Sequence, residues 1–166
     1  MVSVVSLFID IFFCFAPSMI LSSTSVIFLT YRTEDFPYLH LGNNAETGID
    51  CFNLCKLVYL NELGIDIPYT TDYFCKIIDE DWYSKTHERL FERAATDEYG
   101  WIKVKEPKIY DVITMSIGST NVTNHCALYV DRNRILQTMI KHKSWIAPYG
   151  NYYKQYTTGI YRWKDL

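Results

Sequence analysis

Apolar residues in this chain follow two periods, and the change from one to the other organises it. After a stretch rich in breakers over residues 35–48 (Pro37, Gly42, Asn43, Asn44, Gly48), Cys51, Leu54, Cys55 and Val58 recur at helical spacing along one stripe. Asp50 stands where an N-cap is needed, Gly64 where such a helix stops, and Pro68 follows soon after. Residues 72–97 keep a helical pattern, read as two pieces with Tyr73, Ile77, Leu90, Phe91 and Ala94 turned inward. Beyond them the period shortens to two. Segments 111–118, 125–131 and 134–140 read as strands joined by short polar turns such as Asp131–Arg132–Asn133, and 159–163 as a last strand. Helices first and strands afterwards, with hairpin-length connections, predict an α+β domain of N-terminal helices packed on an antiparallel sheet.

Composition adds bounds to this picture. A chain of 166 residues has the length of one ordinary domain, and 49% hydrophobic residues supply ample core. The net charge is -3 with both signs mixed after residue 30, which argues against a nucleic-acid partner. Residues 1–30 stand apart: Asp10 is their single charge and Arg32 the first basic residue of the chain. That segment lacks the basic start of a secretory leader, and Asp10, Pro17 and Ser22–Ser23–Thr24–Ser25 interrupt it as a membrane span. Three readings stay open for it: an atypical leader or anchor, an apolar element packed on the domain, or residues translated upstream of the true start. Any membrane contact would come through residues 1–30, and the domain proper is expected over 31–166.

Five cysteines at irregular spacing (Cys14, Cys51, Cys55, Cys75, Cys126) do not suggest a disulfide scaffold and leave thiols available for chemistry. Cys51 falls in the first turn of the predicted helix, where unpaired N–H groups and the positive end of the dipole stabilise a thiolate. Those N–H groups can also receive an oxyanion. Cys55, one turn on, reads as a small core residue. His125 opens a predicted strand, with Ala127 and Tyr129 on its face and Cys126, Leu128 and Val130 on the other. An imidazole facing a helix-terminal thiol is the geometry of a nucleophile and its base. Gln137 lies a hairpin away, within reach of the distal ring nitrogen. On the other side, buried cysteines and strand-edge histidines are common structural residues. A zinc site from Cys51, Cys55, His125 and Cys126 is disfavoured, since adjacent strand residues point apart and the spacing fits no standard pattern. His40, His87 and His142 show no ligand spacing, and Asn121–Val122–Thr123 reads as an incidental sequon.

Two blocks carry a family resemblance. The first runs from Pro37 through Tyr38 and Gly48-Ile-Asp-Cys51 into Phe52-Asn-Leu-Cys-Lys-Leu-Val-Tyr59, followed by Glu62-Leu-Gly-Ile-Asp-Ile-Pro68. The second joins Asp111-Val-Ile-Thr-Met-Ser-Ile-Gly118 to Asn124-His-Cys-Ala-Leu-Tyr-Val130, with Gly159-Ile-Tyr-Arg-Trp163 at the end. Together they resemble the NlpC-type cell-wall peptidases, papain-like cysteine peptidases of bacteria and phages, and most nearly the phage tail-associated subgroup. The resemblance spans residues 31–166 and implies a papain-like α+β fold. It makes Cys51 the nucleophile and His125 the general base, and it matches Tyr38 to a tyrosine lining the oxyanion site. The third polar position, most often histidine in the family, falls on Gln137, with His142 as the alternative. Phe52-Asn53 replaces the small or glycine-containing pair that many members carry after the cysteine, which narrows the room beside the thiol.

The resemblance implies a cysteine endopeptidase hydrolysing amide bonds in peptidoglycan stem peptides, without metal or organic cofactor. The stem peptide and other phage tail proteins are the implied partners, and a virion tail or the bacterial cell envelope the implied location. Two other readings are a tail-tip or assembly component that keeps the fold with little or no activity, and a different thiol acyl transfer such as deamidation or transacylation.

Overall fold

A computed structural model describes residues 34–166 apart from His87 and Ser119, so the expectations for residues 1–30 lie outside the described residues. A two-residue ladder, β1 (Asn43–Asn44) with β2 (Gly48–Ile49), sits within the stretch read as loop. Gly48 is required there: its φ is 144°, and a Cβ on it would fall 2.3 Å from that of Leu39.

Helix α1 (Cys51–Leu63) starts and stops as the sequence predicts. Asp50 caps it by accepting the Asn53 N–H at 2.8 Å. Gly64 ends it in the left-handed region (φ 67°), its N–H closing onto the Leu60 carbonyl as an αL cap and the Ile65 N–H onto that of Tyr59. Its stripe of Leu54, Cys55 and Val58 is wholly buried against Cys126, Leu128, Val130 and Leu136 of the sheet. Tyr59 adds a tie by donating its hydroxyl to the Tyr110 carbonyl at 2.7 Å.

Between helix and sheet the expectation of two long helical pieces is corrected. The chain forms three short helices, α2 (Thr71–Phe74), α3 (Trp82–Lys85) and α4 (Leu90–Ala94), and a 3-10 turn over Asp97–Tyr99. None of them has a side-chain cap, and each is too short to hold itself by internal bonds. Trp82, Leu90, Cys75 and Val122 form their common core. Tyr73, expected inside, is 59% exposed and joins a surface aromatic group with Phe74 and Tyr99.

The sheet is six-stranded and antiparallel, in the order β3 (Trp101–Lys103), β8 (Thr157–Trp163), β4 (Val112–Met115), β5 (His125–Tyr129), β6 (Arg134–Gln137), β7 (Trp145–Pro148). A six-residue helix α5 (Asn151–Tyr156) runs into β8. The turn between β5 and β6 has Arg132 and Asn133 at φ 42° and 60°, with the Arg134 N–H on the Asp131 carbonyl at 2.7 Å. Two successive positive φ values match the right-handed twist of the strands they join. Strands β3 and β7, at the two edges, were not expected. β3 has only three residues and β7 carries Pro148, which an edge strand tolerates because one side of it needs no ladder bonds.

A buried ion pair fastens the sheet. Asp111 is fully buried and takes both prongs of Arg162, Nε at 2.9 Å and a terminal nitrogen at 2.7 Å, plus the Lys108 N–H at 2.7 Å. The buried carboxylate thus meets three donors, while the guanidinium keeps part of its surface in solvent. Arg162→Ala should cost about 3 kcal/mol or more in urea unfolding by stranding the fully buried Asp111 carboxylate. Lys85→Ala, which breaks only exposed pairs to Asp79 and Asp81, should leave the midpoint near wild type.

Candidate active site

Residues distant in sequence converge at the start of α1. Asn53, in the position where a glycine would widen the site, is 4% exposed and instead ties it together. Its side-chain nitrogen donates to the Gly42 carbonyl at 2.9 Å and to Asp50 at 3.2 Å, and its oxygen accepts the Thr71 N–H at 3.4 Å. Phe52 stacks on Tyr69 with ring centroids 5.8 Å apart and 3° between planes. Phe52 also lines a small cavity of about 70 Å³ against Cys51, walled besides by Tyr38, His40, Phe74 and Phe91. His40 is held there by its Nε2 on the Ile77 carbonyl at 2.9 Å.

Cys51 is half-buried, whereas Cys55, Cys75 and Cys126 are buried free thiols. Its thiol is held well below the usual range, first by a hydrogen bond from Cys126 and then by the bond and charge of His125, which together outweigh burial. Cys126 moves the opposite way, pushed well up by burial and by its contacts with Cys51 and Cys55. The two neighbouring thiols are thus shifted in opposite senses, Cys51 down and Cys126 up.

The face expected to look toward the helix is corrected. Cys126, Leu128 and Val130 pack against α1, while Ala127 and Tyr129 lie on the opposite side with Ile113 and Ile135. His125 still reaches Cys51 because it is the first residue of β5 and meets the thiol at the end of the sheet, not across its face. Alternation had already placed Cys126 opposite His125; what it could not say was which face the helix covers. Contact between Cys126 and Cys51 was therefore missed.

His125 is buried, and its Nε2 lies 2.9 Å from Gln137 Oε1. With the Gln137 amide nitrogen donating to the Tyr153 hydroxyl, its oxygen faces the ring and can accept from a protonated Nε2. Nδ1 is then the nitrogen left for the thiol. His142 is elsewhere, exposed against Trp145 with ring centroids 5.5 Å apart. Tyr38 bridges to Ile49 and borders Cys51 and Asp50; burial first, then these neighbours, push its phenol far above the usual range. It stays a neutral donor. Asp50 is likewise pushed up, to about 8, by burial and then by the adjacent Cys51.

A helix-terminal thiol, a strand-borne imidazole and a buried polar residue behind that imidazole, mounted on an antiparallel sheet, constitute a papain-like α+β fold. The chain belongs to the NlpC/P60 family, whose model matches residues 35–162. The resemblance read from the two sequence blocks therefore holds. An NlpC/P60 family protein from Bacillus cereus ATCC 10987 is similar in structure (TM-score 0.50, 18% identity, 78% of this chain and 36% of that one). The NlpC/p60 domain of the peptidoglycan hydrolase SagA gives a TM-score of 0.49 at 19% identity, over 81% of this chain and 92% of that one. Among curated proteins, the tail tip assembly protein K of Escherichia phage N15 is 25% identical over 119 residues, 70% of this chain and 46% of that protein. This chain thus spans less than half of that relative's length.

The thiol environment predicts selective labelling. Iodoacetamide should modify Cys51 ahead of Cys55, Cys75 and Cys126, as read by peptide mass mapping. Because a lowered pKa keeps the thiolate populated in acid, the rate should persist well below pH ~8.5 and fall only as pH drops through the lowered value. His125→Ala should move that fall to higher pH and slow labelling at pH 6 about tenfold or more.

Proposed function

We propose that the protein is a cysteine hydrolase cleaving amide bonds of peptidoglycan stem peptides, acting as a phage tail-associated cell-wall peptidase. One observation carries this reading: a half-buried thiol at a capped helix start, depressed in pKa, beside an imidazole whose far nitrogen is held by Gln137. Family members are in general cysteine peptidases and amidases acting on peptidoglycan, which supports the substrate class.

The Cys51 thiolate attacks the carbonyl of a stem peptide seated in the aromatic-walled cavity. Asp50 occupies the Asn53 N–H, so the Cys51 N–H and the neutral Tyr38 hydroxyl serve the oxyanion. His125 gives its proton to the leaving amine, and water, deprotonated by the same ring, then hydrolyses the thioester. Gln137 accepts from Nε2 throughout and carries no charge of its own.

A second reading is a tail-tip component retaining the fold without turnover, favoured by the relative named as a tail tip assembly protein and by glutamine at the third position. Digestion of purified peptidoglycan, followed by mass spectrometry of released muropeptides, separates the two. Wild type should release cut stem peptides, Cys51→Ala none, and His125→Ala at least about 100-fold less. Absence of any Cys51-dependent product would overturn the hydrolase reading and favour the second. Changed side-chain amides on uncut stems would point to acyl transfer of another kind.

A further inference from the structure

The Gln137 amide has an accepting end and a donating end of nearly the same shape, and it is fully buried. An imidazolium at His125 needs the accepting end. A neutral ring could equally take the other, so His125 alone does not decide the orientation. At the opposite end of the amide, Gln137 Nε2 donates to the Tyr153 hydroxyl at 2.6 Å, an orientation that holds while that hydroxyl gives its own proton to another acceptor. Tyr153 lies on α5, half-buried against the cluster of Ile113, Ile135 and Ala147, which leaves its own hydroxyl proton a route to water. Its backbone is fixed as well. The Thr157 hydroxyl donates to the Tyr153 carbonyl at 3.0 Å and is itself bonded to the buried Tyr149 hydroxyl at 2.8 Å.

Resting on the Cys51–His125 reading above, we propose that Tyr153 is a positioning residue: by accepting the Gln137 amide N–H it keeps Gln137 Oε1 on His125 Nε2 and favours the thiolate–imidazolium pair over the neutral one. Without that acceptor the buried amide nitrogen has no partner, and the amide loses the bond that sets its direction. Polarisation along the chain of bonds acts in the same sense. Among the described residues, the other titratable groups around the pair are Tyr38, His40 and Asp50 before and at the start of α1, Cys75 across the cavity, Cys126 on β5, and Cys55 behind Cys126. All stay unchanged in the test.

The measurement is the pH profile of Cys51 alkylation by iodoacetamide in the full chain, which needs the thiolate but no substrate turnover. Tyr153→Phe removes one oxygen from a half-buried ring, and thermal melting checks that the fold is retained. It should raise the acid limb by about half a pH unit, slowing labelling about threefold at pH values below that limb. The control background is Gln137→Glu, whose two oxygens both accept, so no orientation remains to be set. There Tyr153→Phe should leave the limb in place or lower it. An unmoved limb in the Gln137 background would overturn the proposal. So would an equal upward shift in both backgrounds, since that is a packing effect. A wild-type limb at the pH of an ordinary thiol would remove the pair and the role of Tyr153 with it. A Tyr153-dependent limb without peptidoglycan cleavage would refute the substrate and support the positioning.

Discussion

The geometry of this site depends on where α1 begins, and Asp50 sets that point. Its two oxygens take the backbone and side-chain nitrogens of Asn53, whose amide also grips the Gly42 carbonyl, so helix start, preceding loop and cavity wall move as one body. The arrangement concentrates acidic groups. A helix N-terminus is worth about half a unit of positive charge and stabilises one adjacent anion well, not two. The competition resolves in favour of sulfur: Cys51 is pushed down, Asp50 up, and burial drives the second of these. The cap therefore helps to fix the position of Cys51 while its own carboxyl is shifted toward the neutral form.

Sulfur chemistry at this helix end is cooperative in a second way. A buried thiolate would ordinarily be costly, because desolvation favours the neutral thiol. Cys126 offsets that cost by supplying a proton donor from the sheet side, and His125 supplies another from the strand's end. The anion is solvated by the protein from two elements that meet only when α1 packs on β5. The lowering of the Cys51 thiol is thus a product of tertiary assembly, although α1 contributes its own field locally.

Much of this was legible in the sequence because it is local. Asp50, the stripe from Leu54 to Val58, and Gly64 specify α1 by capping chemistry and periodicity that operate within a few residues. The central strands were visible for the same reason, through alternation around His125 and Ile135. Tyr38, Cys51, His125 and Gln137 were all singled out, and the fold brings them together. What was missed is non-local. The short helices between Thr71 and Ala94 exist only because Trp82 and Leu90 are buried by distant segments, so an apparent helical period overstated their length. Edge strands β3 and β7 are defined by their neighbours, and α5, uncapped and rich in tyrosine, has little intrinsic helical signal. The roles of Cys126 and Tyr153 depend on which face of a strand is covered, information that a period of two does not contain.

The sheet order has a kinetic meaning as well. Strand β8, the latest in chain order, is inserted between β3 and β4, and its Arg162 neutralises the buried Asp111 that lies just before β4. Until residues 157–163 arrive, β3 lacks a strand partner, β4 lacks one of its two, and a carboxylate lacks its counter-ion. Assembly must then proceed through loop closures of some fifty residues between Asp111 and Arg162. A topology of this kind makes completion of the domain a late, all-or-none event. The thiolate–imidazole pair is built on strands whose alignment awaits that closure, so a partly made chain would hold a reactive cysteine without its finished setting.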